Sequence, residues 1–362
     1  MKILILANHF NTLRIFRREL IKAISQQGHE VVISIPTCDD ENKRILESYG
    51  THVVFTDFER RGMNPLKDVR LFLRYRQLIK KEKPDKVIAY TIKCNIYGGF
   101  ACQLLRIPHY ANITGLGSTF QKYNFTRKIV SALYKLSLRR SKRVFFENVG
   151  NQETILGDKI LKPEQTYVLP GAGVNLIEFS PIEYPTNDKP LHFLFVGRIM
   201  REKGVDEYFE AIRKIKAIYP DTVFDFIGWY EDDYESIVKT MQNDGLLCFH
   251  GFQSDVKPFI ANAHCVVLPS WHEGMSNTLL ESAAMCRPLI TTNIHGCKEA
   301  VIDGLNGFLT EVKNADSLYN ALMNFINMPN ECRAIMGING RKHMEESFDK
   351  DMVVALTLKE IF

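Results

Sequence analysis

Residues 2–35 constrain the fold more than any other stretch of the chain. Lys2–Ala7 is an apolar run of strand length, Leu13–Gln27 has the spacing of an amphipathic helix stopped by Gly28, and Glu30–Ile35 is a second apolar strand. Strand, helix and strand in so short a span make a βαβ unit, which implies parallel pairing through a right-handed crossover. The rhythm continues with strands at Val53–Phe55, Lys86–Tyr90, His109–Ile113 and Arg143–Glu147. Helices are predicted from Pro65, behind an Asn64 cap, to just before Pro84, then near Tyr97–Leu105 and over Thr126–Arg140.

Pro170-Gly171-Ala172-Gly173 and the Pro/Asn/Asp-rich stretch Ser180–Pro190 read as a hinge or linker. Beyond it the alternation restarts. Strands are predicted at Leu191–Val196, Val223–Ile227, Leu247–His250, Cys265–Pro269 and Pro288–Thr292, with helices between them, as at Val205–Ile218. Two such arrays in 362 residues imply an α/β protein of two Rossmann-like, doubly wound domains, 1–172 and 173–345. Such sheets bind ligands at the carboxyl ends of their strands, so facing domains would share a cleft.

The longest apolar runs, such as Leu191–Val196, fall far short of the ~20 residues of a membrane span. Met1–Ala7 reads as a first strand and not as a signal peptide. Eight scattered cysteines without a C-x-x-C pair point to a reducing cytoplasm, with no disulfide framework and no structural zinc. The net charge of +4 conceals a split: residues 1–172 hold 29 Lys+Arg and 15 Asp+Glu (+14), leaving −10 for the rest. The first half is therefore suited to something anionic: nucleic acid, an anionic membrane or a phosphorylated substrate. Solvated basic helix faces are the plain alternative. Around Arg127, Lys128, Arg139 and Arg140, apolar residues are threaded through the basic ones, a pattern that suits a helix lying on an anionic bilayer.

Two loops carry chemistry. In Pro269–Ala284 a strand ends at Ser270, a polar loop follows, and a helix starts near Asn277, where free backbone N–H groups attract anions. Glu273 and Glu281 bracket this loop, and carboxylates suit the hydroxyls of sugar and ribose. Thr278-x-x-Glu281 also reads as a capping box that needs no ligand. The other loop, Val196–Gly204, opens a helix after the first strand of the second domain. Its Arg198 and Lys203, a planar fork and a point charge, fit a diphosphate, or are plain exposed cations of a βα loop.

The run Gly197-Arg198-x-x-x-x-Lys203-Gly204, the Glu273-x7-Glu281 pair and Gly296-x-x-Glu299-x-Val301-x-Asp303-Gly304-x-Asn306-Gly307-Phe308, in this order, resemble the retaining glycosyltransferase family 4 of GT-B fold. The first half is similar to bacterial members that extend undecaprenyl-diphosphate-linked glycans, such as α-1,3-N-acetylgalactosaminyltransferases and capsule and O-antigen enzymes. Gly115-Leu116-Gly117-Ser118, Leu133–Ser137 and Phe145–Asn148 carry that likeness. The resemblance implies that Gly197, Arg198 and Lys203 hold the diphosphate of a UDP-sugar and that Glu273 faces the transferred sugar. It assigns the amides of Gly274, Met275, Ser276 and Asn277 to sugar or phosphate, Glu281 to the ribose and Phe252 to the base. It places a polyprenyl-diphosphate-linked acceptor at Asn11, Thr114, Gly115 and Gly117, on the inner face of the cytoplasmic membrane. A C-terminal helix, about 346–362, is expected to pack back on the first domain.

The first loop here, Asn8–Thr12, lacks the glycine common in the family, and Asn112–Gly115 lacks its usual His. His9 and His109 are thus minor catalytic candidates. No metal or other cofactor is expected, because Asp39-Asp40 and Asp232-Asp233 are not the D-x-D motif of metal-dependent transferases. Gly115–Phe120 lacks the third glycine of a dinucleotide fingerprint. A non-hydrolysing sugar-nucleotide epimerase shares the predicted architecture. A nucleic-acid-binding module would explain the basic half, but no recognised motif for one is present.

Overall fold

Two all-parallel sheets hold the strands of the computed structural model, which describes the chain except for residues 60, 61, 63, 121, 122 and 187–189. Part of the Ser180–Pro190 stretch read as a linker therefore lies outside the described residues. The chain divides into two compact units, residues 1–172 with 350–362, and residues 173–349.

In the first unit, β1 (Lys2–Leu6), β2 (Glu30–Ile35), β3 (Thr51–Phe55), β4 (Lys86–Tyr90), β5 (His109–Ile113), β6 (Arg143–Phe146) and β7 (Thr166–Val168) form one sheet. Their order is β3-β2-β1-β4-β5-β6-β7. Ile3, Leu4, Ile5 and Leu6 are all sealed from solvent, as expected of a central parallel strand covered on both faces. The covering helices are α1 (Phe10–Phe16), α2 (Arg18–Gln26), α3 (Asp40–Glu47), α4 (Pro65–Glu82), α5 (Gly99–Leu105), α6 (Phe125–Leu138) and α7 (Val149–Gly157).

The single helix predicted over Leu13–Gln27 is broken at Arg17 into α1 and α2. The Arg17 side chain is buried; it forms an ion pair with Glu147 and lies 5.0 Å from the Tyr90 ring centre. Burial pushes the Glu147 carboxyl above its ordinary value, and the Arg17 charge opposes that shift. The arginine is thus drawn inward at the point where the helix turns.

The second unit contains β8 (His192–Val196), β9 (Val223–Ile227), β10 (Cys248–Phe249), β11 (Cys265–Leu268), β12 (Leu289–Thr292) and β13 (Gly307–Thr310). They are ordered β10-β9-β8-β11-β12-β13. Phe193 and Phe195 of β8 lie in register with Phe224 and Phe226 of β9, and each pair of rings stacks at 5.1 and 5.0 Å. Its helices are α8 (Val205–Ile218), α9 (Glu235–Asn243), α10 (Lys257–Asn262), α11 (Asn277–Ala284), α12 (Ala315–Ile326) and α13 (Asn330–Ser347). In both sheets the strand order reverses beside the first strand, which is where doubly wound folds take their ligands.

The last helix, α14 (Lys350–Ile361), belongs to the first unit, whereas residues 346–349 stay with the second. Val353 and Ile361 share a core with Leu20, Ile21 and Ile24 of α2. The Ile361 carbonyl accepts from Lys86 Nζ (2.6 Å) and Tyr110 Oη (3.1 Å), and Glu360 pairs with Arg143.

Candidate functional site

The two loops singled out in the sequence follow β8 and β11, neighbours in the second sheet, and glycines bring them together. Gly228, just past β9, has φ 152°, and a β-carbon there would lie 1.8 Å from the Gly197 carbonyl oxygen. Gly204 has φ 71°, and its β-carbon would meet the Pro269 carbonyl oxygen at 2.0 Å. Only glycine tolerates such an approach in this conformation. The tight turn Arg201–Lys203 is therefore pressed against the end of β11. Trp271 N–H donates to the Glu202 carbonyl at 2.9 Å, and His272 Nε2 lies 3.0 Å from the Glu202 carboxylate.

This contact places Lys203 Nζ on the Glu273 carboxylate, which also accepts from Ser270 Oγ at 2.8 Å. Both charged side chains are about 85% buried. Gly296, at φ 91°, packs against the other flank; a β-carbon there would lie 2.7 Å from Glu273 Cβ. The Gly296 carbonyl accepts from Ser276 N–H (2.8 Å), and its own N–H donates to Glu299 (2.7 Å). Asn306 and Asp303, also part of the third motif, bond to backbone groups of their own turn and serve its shape.

Helix α11 starts at Asn277 behind Ser276, whose side chain makes no capping bond. Thr278 lies inside the first turn and turns its hydroxyl toward the Val196 carbonyl at 3.4 Å, so the capping-box alternative does not hold. Gly274 and Asn277 are half-buried, and Met275 and Ser276 are buried, so these last two offer the loop backbone more than side chains. Glu281 is half-buried in the helix. The Arg198 guanidinium faces Glu231 at 3.9 Å. Phe252 is two-thirds exposed and meets the half-exposed Trp229 edge to face at 5.8 Å. Sequence reasoning missed Trp229, although an aromatic residue directly after a strand and a glycine was a visible sign. It also missed Ser270 as a partner of Glu273.

In the first unit, Asn11 in α1 and Thr114, Gly115 and Gly117 after β5 lie past the carboxyl ends of their strands. They share that edge of the sheet. Gly117 has φ 64° and is exposed. Of the two minor candidates, His9 caps α1 by accepting from Asn11 N–H at 3.1 Å. His109 opens β5 at the opposite edge, buried, with Nδ1 on Ser141 Oγ at 2.9 Å, and burial lowers its pKa to about 4.

The basic helix needs one correction. Lys128, Arg139 and Arg140 are exposed, but Arg127 is not part of any surface. It is 5% exposed, forks onto Asp158 (2.9 and 3.2 Å), donates to the Phe120 carbonyl and lies 3.7 Å from the Tyr123 ring centre. Among the described residues, no helix is long and apolar enough to cross a membrane, and no three His, Cys, Asp or Glu side chains gather to hold a metal.

Comparison with known proteins gives the same picture for both halves. Residues 177–343 match the family model described as glycosyl transferases group 1, and residues 2–148 match the one described as glycosyl transferase 4-like. The chain is 28% identical to the N,N'-diacetylbacillosaminyl-diphospho-undecaprenol alpha-1,3-N-acetylgalactosaminyltransferase of Campylobacter jejuni, over 84% of this chain and 83% of that one. It is 29% identical to the UDP-Gal:alpha-D-GlcNAc-diphosphoundecaprenol alpha-1,3-galactosyltransferase of Escherichia coli, over 81% and 82% of the two chains. Among solved structures, Anabaena HepE in complex with UDP and glucose superposes with a TM-score of 0.81 at 18% identity, over 100% of this chain and 99% of that one.

Proposed function

This chain belongs to the group 1, family 4-like glycosyltransferases of GT-B fold, and on that footing we propose that it moves a sugar from a UDP-sugar to a polyprenyl-diphosphate-linked glycan. The observation that carries the donor half is the Lys203–Glu273 pair, packed between Gly204 and Gly296 at the carboxyl edge of β8 and β11. The acceptor half draws on the two relatives whose names specify a diphosphate-linked undecaprenol substrate.

The chemistry follows from the charges. Cleaving the bond between sugar and UDP leaves growing negative charge on the diphosphate, which preorganised donors stabilise. An ammonium has three N–H donors, so Lys203 keeps one on Glu273 and presents others to a diphosphate oxygen. Arg198 adds a second cation, and the uncapped start of α11 adds backbone amides and the positive end of its dipole. We assign Glu273 to the hydroxyls of the transferred sugar, Glu281 to the ribose, and Phe252 with Trp229 to the face of the base. In this reading transfer proceeds with retention and without a bound metal. Acceptor binding falls to the first unit, at Asn11 and the Thr114–Gly117 loop, with exposed Lys128, Arg139 and Arg140 near an anionic membrane surface.

The deciding experiment incubates the chain with radiolabelled UDP-sugars and polyprenyl-diphosphate-linked mono- and disaccharides, with and without a chelator. Label in the lipid fraction, unchanged by chelation, is the expected result. Interconversion of free UDP-sugars without acceptor would instead mark an epimerase.

A further inference from the structure

The first unit holds a recess of about 790 Å³ that none of the site residues discussed so far explains. Val69 of α4 and Ile129, Val130 and Leu133 of α6 form its apolar walls, with Ile96 and Tyr97 beneath them. Cavities of this size admit a small-molecule ligand, and apolar walls select an apolar one.

The backbone is bent to shape this recess. Thr91, the first residue after β4, has φ 75°, a conformation that strains a β-branched residue. A π-helical turn, Cys94–Gly98, follows it, and such turns concentrate at functional sites. Together these features turn Ile92, Lys93, Ile96 and Tyr97 to the cavity wall.

Two further observations define the ligand. Leu66, Val69 and Leu73 are spaced i, i+3 and i+7 along α4 and are 81%, 56% and 51% exposed. Val69 joins this stripe to the recess wall, and the stripe leaves apolar side chains exposed where a surface helix normally shows polar residues. At one wall Lys93 holds Asp68 at 2.9 Å, and a second recess of about 300 Å³ shares Phe58, Asp68 and Lys93 with the first. Lys67, Arg70 and Arg74 also line it, together with Asp57 and Glu59; Lys67 is paired with Glu59 and Arg74 donates to the Asp57 carbonyl, whereas Arg70 makes no ion pair with any described residue. An apolar chamber that opens beside Arg70, a cation with no ion-pair partner among the described residues, is complementary to a lipid chain ending in a phosphorylated head.

We propose that this recess receives the first isoprene units of a polyprenyl diphosphate, with its diphosphate lying toward Lys93 and Arg70. The proposal rests on the acceptor reading above and names the part of that acceptor which the first unit recognises. The isoprenoid enters between α4 and α6, while the stripe of α4 stays against the apolar surface from which the lipid comes.

The test measures binding of farnesyl diphosphate, farnesol and inorganic diphosphate to the full chain, alongside UDP. Farnesyl diphosphate is expected to bind about tenfold or more tighter than inorganic diphosphate, from the added apolar burial. Val69→Asp and Ile129→Gln each remove that advantage while the melting temperature and UDP affinity stay unchanged; Val69→Leu keeps it. Arg70→Ala weakens farnesyl diphosphate and spares farnesol. Equal affinity for the two diphosphates, or unaltered farnesyl diphosphate binding in a folded Val69→Asp variant, overturns the proposal. So does a chain that self-associates through this face, with Val69→Asp yielding monomers and no isoprenoid bound. Farnesyl diphosphate binding without transfer to any lipid-linked glycan would sink the acceptor reading and leave the pocket's ligand class standing.

Discussion

Gly204 and Pro269 meet backbone to backbone, so close that a β-carbon on Gly204 would lie 2.0 Å from the Pro269 carbonyl oxygen. The contact joins the loop after β8 to the end of β11 and sets Lys203 beside Glu273. Gly204→Ala should therefore harm both stability and donor binding. The left-handed backbone alone costs an alanine roughly 1–2 kcal/mol, and the clash adds to that. Urea unfolding of the variant should show the loss, and UDP affinity should fall with it. Parent-like values for both would mean that the two loops do not depend on this approach.

Removing either partner of the Lys203–Glu273 pair has two separable effects. Lys203→Ala removes the cation from a mostly buried carboxylate that keeps its Ser270 hydrogen bond, so the loss should fall below the roughly 3–5 kcal/mol of a fully buried pair. Turnover should drop about a hundredfold or more, the range for losing one preorganised donor at developing charge. The double variant Lys203→Met with Glu273→Gln removes both charges, so thermal stability should recover while turnover does not. Recovered turnover in the double variant would reduce the pair to a structural role.

Glu281 separates ribose binding from simple helix formation. Thr278 is not the cap of α11, and Gln keeps the size and hydrogen-bonding reach of Glu281, so Glu281→Gln should leave the melting temperature close to the parent's. A carboxylate bound to ribose hydroxyls loses roughly 1.5–3 kcal/mol when neutralised. The dissociation constant for UDP should then rise about tenfold or more. Calorimetry on the two proteins decides the matter: equal constants remove Glu281 from the donor site.

How legible each feature was depended on how local its cause is. β1 and β2 were readable because buried parallel strands are continuous apolar runs, and the site loops because glycines and charges mark them at fixed spacing. The break at Arg17 was not readable, since its cause is Glu147, 130 residues away in the chain. Arg127 shows the same limit: its neighbours in sequence are basic and exposed, whereas its own partner is Asp158. The edge strand β7 has only three residues to carry a pattern, and β13 begins with Gly307, a turn residue in sequence, because a side chain there would meet the Leu289 carbonyl oxygen at 2.2 Å. Thr91 looks like any strand end until its φ is known.

Acid should destabilise both units through two buried histidines. Burial lowers His109 in the first unit and His264 in the second to about 4, from an ordinary 6.5. Above pH 6.5 both are neutral whether folded or unfolded, so nothing is lost there. Between 6.5 and 4 the unfolded chain takes up protons that the native state refuses, so stability falls as pH falls, by about 1.4 kcal/mol per unit for each fully coupled group. Denaturation of His109→Gln and the parent at pH 7, 6 and 5 should show a shallower decline in the variant. Parallel lines would exclude His109 as a source of the acid sensitivity.

The basic face of the first unit should bind anionic bilayers through Lys128, Arg139 and Arg140, which are exposed, and not through Arg127, which is buried. Each exposed cation near an anionic surface adds roughly 1 kcal/mol. Reversing all three to Glu should therefore abolish sedimentation with phosphatidylglycerol vesicles while leaving the melting temperature and UDP affinity unchanged. The parent should ignore purely phosphatidylcholine vesicles. Its binding to the anionic ones should weaken as salt rises, since surface charges are screened over about 8 Å at physiological ionic strength. Arg127→Ala has the opposite signature. It leaves Asp158 without its partner and should cost about 3 kcal/mol of stability, with vesicle binding retained at temperatures where the protein stays folded. The acceptor gives a third readout: the triple reversal should slow transfer to a long-chain polyprenyl-diphosphate glycan in vesicles and spare transfer to a short, water-soluble analogue. Equal slowing on both acceptors would place these residues in the catalytic machinery, and unaltered vesicle binding by the triple variant would leave them as a solvated helix face.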